Sequence, residues 1–449
     1  MECKAARTLD ERNNMYSKAG HKRFKVQTVI AVSALSLTVL PTSAFAAPKV
    51  DGVTTTAIKL GITLPMKGSA SYGYNQLPGA MKAYFDYVNA NGGVNGRKIT
   101  LVVKDDGYLP KQAIQNTQDL IGKDKVFALV GALGTANNQA VADAVNLGRR
   151  GIPSLFINTG YSGFNNRKAY STSSTILPSY VMEAKLISKH VKELYADKKI
   201  CLLYQDDDFG DDALVGFDKD HGNLTFATKI AYPSLSQGVA GVPDSWVSKF
   251  KAAGCEVQIV FGVSSATLYT VLAAAKIQYA PKWILGSVGA DIASINPATT
   301  PYIIGATSMS FLPSVVDPKD EYVARFKEIN ATYNPKAKFN SWALIGMNTA
   351  FLTVQALNAA GKNLTRASLL NVLDSSGAKL ANAGLVPLNY SKSSNVGYNG
   401  YWFGTFNKTG DLVPNDAFTY TLYTTDSGTG AVEKSSYSRP DMPAKGLPK

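Results

Sequence analysis

Histidine and cysteine are scarce in this chain, with three of each among 449 residues. His21 and Cys3 fall within the first 46 residues. The remaining His190 and His221 have no second His or Cys near them, so a metal site on imidazole or thiolate ligands fits poorly, and no metal or other cofactor is expected. Cys201 and Cys255 each sit at the start of an apolar strand pattern. Two small buried thiols is the plainer reading; a disulfide stays open, because spacing alone does not decide it. Charge is also low, at 18% of residues, and no Lys/Arg run of the kind that tracks a phosphate backbone is present, which excludes nucleic acid as the expected partner. Beyond residue 46 no apolar run approaches the length of a membrane span. The H-E-x-x-H, G-x-S-x-G, Walker-type and G-x-G-x-x-G motifs are all missing, so no enzymatic activity is expected. Gly160-Tyr161-Ser162-Gly163 is only a fragment of a nucleophile elbow, with no convincing base for the serine.

What the chain does carry begins with a leader. His21-Lys22-Arg23-Phe24-Lys25 is a basic stretch, Val29 to Leu40 an apolar core, and Ala44-Phe45-Ala46 a small-x-small cleavage site. Residues 1–46 therefore read as a secretory signal peptide, with Met15 the expected start. No Cys follows the apolar core, so a periplasmic or secreted, cell-surface location without a lipid anchor is expected. Removing the leader takes seven Lys/Arg and three Asp/Glu from a formal +13, leaving a mild basic bias of about +9.

From about residue 58 to 310, strand and helix patterns alternate, which predicts α/β architecture with parallel sheets. The central stretch is Val126 to Tyr161. A strand, Val126 to Val130, runs into the turn Gly131 to Thr135; a helix carries Ala140, Val141, Ala144 and Val145; a second strand, Ser154 to Ile157, ends in Asn158-Thr159-Gly160-Tyr161. Ligands of open parallel sheets sit at such strand ends, where free amides at helix starts favour an anion. Asp105-Asp106 and Asp206-Asp207-Asp208 lie just past strands and read as helix caps and turn closers rather than as metal or acid/base groups. The Ser/Thr-rich segment Tyr170 to Pro178, then Ile303 to Ser310 and Gly384 to Ser394, read as three crossings between two similar halves. Residues 425–449 are rich in Gly, Ser, Pro and Lys and read as a loose tail.

The motifs LGITLPMKGSASYG, NANGGVNGRKI, KDDGYLPKQA, VFALVGALGT, GIPSLFINTG and KICLLYQDDDFG, in that order, resemble the type I periplasmic binding proteins, in particular the leucine/isoleucine/valine-binding branch of ABC-transporter solute receptors. The match covers roughly residues 55–300 by motif and the rest by order of elements. The resemblance implies two Rossmann-like lobes joined by three hinge crossings: residues 47–172 with 307–385, and residues 173–306 with 386–424. It implies a solute held in the cleft, hinge closure upon it, docking of the closed form on an ABC permease, and a monomer. Carried over by motif, Tyr72 is the aromatic of the first loop. Thr135, with Gly134 and Ala136, is the group that holds a ligand carboxylate, and Thr159, with Asn158, Gly160 and Tyr161, forms the second turn. Phe209 stands where the family often closes a Tyr over the ligand.

One departure bears on the ligand. Amino-acid-binding members place a carboxylate in the second lobe against the ligand ammonium; the matching place here is Val288, with Asp291 three residues on. A buried ammonium without a partner is costly. The expected ligand is a small amphipathic carboxylate, a branched-chain or other hydrophobic amino acid, with an aromatic or branched acid without the amino group as the alternative. A ligand sensor of the same fold that feeds a signalling partner is the reading from another class.

Overall fold

A computed structural model describes residues 50–235 and 241–448; the leader read over residues 1–46 lies outside them. The chain first builds β1 (Ala57–Leu64), α1 (Leu77–Ala90), β2 (Lys98–Asp105), α2 (Pro110–Gly122), β3 (Ala128–Val130), α3 (Thr135–Ala144), β4 (Ser154–Ile157) and β5 (Ser173–Thr175). These five strands pair in parallel in the order β2-β1-β3-β4-β5. A second run follows: α4 (Tyr180–Leu194), β6 (Ile200–Asp206), α5 (Asp208–Phe217), β7 (Thr228–Pro233), α6 (Pro243–Ala252), β8 (Val257–Phe261), α7 (Ser264–Lys276), β9 (Lys282–Leu285), α8 (Thr300–Ile303) and β10 (Thr307–Ser310). Its strands stand in the order β7-β6-β8-β9-β10, the same order as in the first sheet. The chain then forms α9 (Glu321–Tyr333), α10 (Ser341–Ala359) and α11 (Arg366–Ser376). It ends with β11 (Tyr401–Phe406), β12 (Leu412–Pro414), β13 (Leu422–Thr424) and β14 (Glu433–Lys434), all antiparallel additions to the second sheet.

Burial explains these choices. β3, β4 and β8 are buried at every position, as strands covered by helices on both faces must be. α1 turns Leu77, Met81, Tyr84, Phe85 and Val88 inward. α10 is buried nearly all round and lies against α1, while α9 covers the same helix. Gly346 permits that close approach, since a Cβ there would come within 2.8 Å of the Ala80 Cβ and the Leu77 carbonyl. The first lobe therefore holds the first sheet with α1–α3 and α9–α11, and the second lobe holds the second sheet with α4–α8.

The chain passes between lobes at 176–179, 311–320 and 380–400. Two boundaries differ from expectation. β5 pairs with β4 in the first sheet, so that lobe runs to Thr175 rather than to residue 172. β10 pairs with β9 in the second sheet, so the second passage begins after Ser310 rather than before residue 307. Spacing could not show this, because a short strand and an extended linker look alike in sequence. The passages are bound to one another: Tyr390 Oη donates to the Thr175 carbonyl at 2.6 Å, Leu385 N to Phe311 O at 2.9 Å, and Phe311 stacks on Tyr398 at 4.7 Å.

Cys201 and Cys255 form a disulfide, Cα to Cα 5.8 Å, which joins β6 to the turn before β8. The reading as two free thiols is corrected: both positions are buried, and adjacent parallel strands bring them together.

The tail is not loose. Lys185 of α4 is buried, and its Nζ donates to Asp426 Oδ1 (2.9 Å) and to the carbonyls of Gly428 (2.6 Å) and Gly430 (2.7 Å). After β14 the chain runs onto the first lobe. Arg439 pairs with Asp320 at 2.5 Å and lies over the Tyr322 ring, Tyr84 Oη donates to Gly446 O at 2.7 Å, and Asn358 Nδ2 to Pro448 O at 2.7 Å. The tail thus straps both lobes, and its polar composition concealed this because its anchors are backbone carbonyls. Lys185→Met should cost about 2 kcal/mol, the value of hydrogen bonds to a charged donor. Hydrogen exchange should show residues 425–435 losing protection; unchanged exchange there would contradict the anchoring.

Candidate functional site

In an open parallel sheet a crevice opens at the carboxyl ends of the two strands where the winding reverses. Here those pairs are β1/β3 in the first lobe and β6/β8 in the second. Their loops face each other. Tyr74 Oη donates to the Val288 carbonyl at 3.1 Å, Gln139 Nε2 to Asp208 Oδ2 at 2.7 Å, and Ser162 N and Oγ to Asp212 at 2.6 and 2.8 Å. Tyr269 Oη donates to Tyr72 Oη at 3.2 Å, and Ser341 Oγ to Asp291. The lobes are closed on one another.

The first-lobe residues singled out in the sequence fall into one corner and two rims. Gly134 caps α3 at φ +99°, and a Cβ there would come 2.8 Å from the Tyr108 ring. Thr135 opens the helix, and its hydroxyl lies 2.7 Å from that of Thr159, both fully buried. Ala136 follows, half-buried. Asn158 closes the corner: Nδ2 donates to Gly131 O at 2.9 Å, and its carbonyl accepts from Gly134 N. Gly160 lets the second turn pass under Tyr180, whose N–H donates to its carbonyl at 2.9 Å. The first-turn amides of α3 have no acceptor within their own helix, so this corner suits a carboxylate.

Tyr72 and Tyr161 stand outside that corner. Tyr72 meets Tyr269 at the mouth, ring centroids 6.2 Å apart. Tyr161 packs on Phe164 and faces Asp208 and Asp212; burial first, and then those carboxylates, push its phenol up to about 12. Phe209 is buried. It is packed between Tyr180 (4.6 Å) and Phe261 (5.0 Å) in the second lobe's interior.

Several residues of the cleft were not singled out. Tyr74 lies two positions beyond Tyr72, and its edge meets Trp342 of α10 at 4.7 Å. Tyr108 holds φ +66°, an uncommon conformation for a bulky buried residue. Tyr232 donates to Gln205 Oε1 at 3.0 Å. Burial pushes Tyr74 up to about 12 and Tyr108, Tyr180 and Tyr232 well up, so the cleft presents neutral phenols. Glu183 of α4 is wholly buried and accepts from Ser287 N (2.6 Å), Ser287 Oγ (2.7 Å) and Tyr401 Oη (2.9 Å); burial raises its pKa. It fixes the loop that carries Val288. A lone acid among Tyr180, Val181, Met182 and Ala184 was the available signal.

A small cavity of about 40 Å³ lies at the centre, bordered by Tyr74, Leu133, Asn158 and Trp342 from the first lobe and by Ser287 and Val288 from the second. Asp291 is further toward the hinge. It is held by Ser341 and by Ser294 N, and burial raises its pKa. Among the described residues no group of three or more His, Cys, Asp or Glu is placed to hold a metal ion. Ser162 bonds to Asp212, while His190 stacks on Phe403 and His221 bonds to Asp218, so among the described residues no imidazole stands beside the serine.

These features define a two-lobed ligand receptor, and the family model of the periplasmic binding proteins matches residues 57–411. The chain belongs to the periplasmic binding protein family. It is similar to a Leu/Ile/Val-binding protein homolog of Brucella abortus, 25% identical over 68% of this chain and 79% of that one. It is also similar to an amino acid binding protein of Pseudomonas aeruginosa, 27% identical over 49% of this chain and 58% of that one. In fold it resembles a substrate-binding periplasmic protein of Ralstonia solanacearum (TM-score 0.71, 21% identity, 79% and 99% of the two chains). Two further solved folds carry ligands: a branched-chain amino acid transporter substrate-binding protein of Streptococcus pneumoniae with isoleucine, and a solute-binding protein of Rhodopseudomonas palustris with 3,4-dihydroxybenzoic acid. Their TM-scores are 0.65 and 0.66, at 19% and 20% identity, covering 80% and 79% of this chain and 98% and 95% of theirs.

The burial of Asp212 predicts a pH response, which the bonds from Ser162 oppose but do not cancel. Burial first, and then the Asp208 and Asp211 carboxylates, push Asp212 up to about 6. An unfolded aspartate titrates near ~4, so protonation favours the fold: the contribution grows as pH falls through about 6 and saturates below about 4. Between pH 7 and 5 the wild type should gain about 1 kcal/mol over Asp212→Asn in urea unfolding. Equal pH slopes would contradict the assignment.

Proposed function

We propose that this protein is the extracytoplasmic solute receptor of an ABC importer and that it captures a small amphipathic carboxylate by closure of its two lobes. The observation that carries the reading is the buried Thr135–Thr159 hydroxyl pair at the start of α3, whose chain neighbours Leu133 and Asn158 border a cavity walled on its other side by the second lobe. The carboxylate would rest on Thr135 and the first amides of α3. The apolar part would face Leu133, Tyr74 and Val288. Closure would then present both lobes to a membrane permease.

Of the two ligand classes, the acid without an amino group is favoured by the cavity wall. Val288 borders it where an ammonium partner would stand, and the nearby Glu183 is already engaged by Ser287 and Tyr401. The relatives named for amino acids and the neighbour holding isoleucine support the other class; the neighbour holding a dihydroxybenzoic acid supports this one.

Thermal unfolding of residues 47–449 against amino acids and their deaminated counterparts separates the two. A ligand of the native state alone raises the melting temperature. The expected outcome is a shift with 4-methylpentanoate or benzoate and none with leucine or phenylalanine. A shift with leucine alone would restore the ammonium site and place its partner at Asp291, and no shift with any acid would overturn the carboxylate reading.

A further inference from the structure

We propose that the ligand's apolar body passes Trp342 into a second cavity on the hinge side, so that the receptor selects carboxylates with an extended chain or ring over short branched ones. This rests on the carboxylate reading above and names its substrate class.

Two cavities meet at Trp342. The central one, of about 40 Å³, touches Leu133 and Asn158 next to the hydroxyl corner. The hinge-side one, of about 170 Å³, is lined by the apolar Met309, Leu312, Val315 and Trp402 and also by polar groups that include Lys338 and Asp411. Ser287, Phe311, Trp342 and Ile345 border both, so these four side chains stand between the two cavities, and a ligand that occupied both would pass among them. The central cavity alone is too small for a leucine-sized side chain. A dry apolar cavity of about 150 Å³ accepts a benzene-sized guest. The hinge-side space therefore matches a ring or a chain of about six carbons, larger than any branched-chain residue.

The second observation is the neck itself. Trp342 is 5% exposed, and its indole N–H has no acceptor. An unpaired buried donor costs about 1–3 kcal/mol, a penalty that an oxygen on a ligand passing through the neck would relieve. The indole is held in place: Tyr74 meets it edge-on, and Gly73 makes room for it, since a Cβ there would come 2.3 Å from the ring. The Asp291 carboxylate borders the hinge-side cavity but is already held by Ser341 and Ser294, so it closes a wall and offers no free counter-charge.

Calorimetric titration of residues 47–449 with straight-chain acids from butanoate to decanoate tests this. Wild-type affinity should rise about threefold to fourfold per methylene until the hinge-side cavity is full. Val315→Phe, which fills that cavity, should lower the ratio of decanoate to butanoate affinity about tenfold. Trp342→Phe should remove any preference for a mid-chain keto acid over the plain acid of the same length, while leaving the rise with length. Affinity that peaks at pentanoate or 4-methylpentanoate and falls beyond it would overturn this inference and leave the carboxylate reading standing, as would an unchanged ratio in Val315→Phe. Binding of no carboxylate of any length would sink the carboxylate reading itself.

Discussion

The starting amides of a helix have no acceptors within the helix, and a parallel sheet collects several such starts along one edge. In this protein two edges of that kind face each other, and neither can be shielded from water without the other. That constraint organises the cleft. Small and hydroxyl residues line the strand ends because nothing larger fits beneath the opposing loop. Gly160 beneath Tyr180 is the clearest case across the cleft, and Gly134 beneath Tyr108 is its counterpart within the first lobe. The phenols of Tyr74, Tyr108 and Tyr232 are neutral, Tyr74 bonds to the facing lobe and Tyr232 to a neighbour within its own, so they seal the interface without bringing charge into it.

Much of this was legible in the sequence, and the reason is periodicity. Strands buried on both faces read as short apolar runs, and α1 reads as a single apolar stripe, so the alternation and the two halves followed directly. The α3 corner was legible too, because a glycine cap and a hydroxyl at a helix start have local causes. Residues whose roles depend on a distant partner were not. Tyr74 differs from Tyr72 only in which way the loop turns, and Trp342 looks like one more apolar residue at a helix start. Phe209 occupies a motif position yet faces the interior, because Tyr180 and Phe261 enclose it. Cys201 and Cys255 required the pairing of β6 with β8 before their bridge could be read. The tail failed for a different reason: composition reports the absence of an apolar core but cannot report a buried lysine elsewhere that holds three of its residues.

The ligand question turns on a single wall. Glu183 shows that this lobe tolerates a buried carboxylate within a few residues of the cleft, but only with three hydrogen bonds upon it. Once Ser287 and Tyr401 have supplied those bonds, the adjoining position is free to be apolar, and it is Val288. On the proposed reading, a cleft with a carboxylate at the α3 corner and apolar walls opposite would select by length and shape more than by charge. The hinge-side cavity adds to the apolar end, and the tail strapped across both lobes stands behind the same hinge.

The most direct test of the central claim is a calorimetric comparison of wild type with Thr135→Val, using whichever acid raises the melting temperature of the wild type. Valine keeps the shape of threonine and removes only the hydroxyl. If the α3 corner holds the carboxylate, affinity should fall by about tenfold or more, the value of a charge-assisted hydrogen bond. The melting temperature without ligand should also fall, by the cost of one broken buried hydroxyl pair, so affinity is compared at a temperature where both proteins are folded. Wild-type affinity in the variant would contradict the account, because the carboxylate would then rest somewhere else.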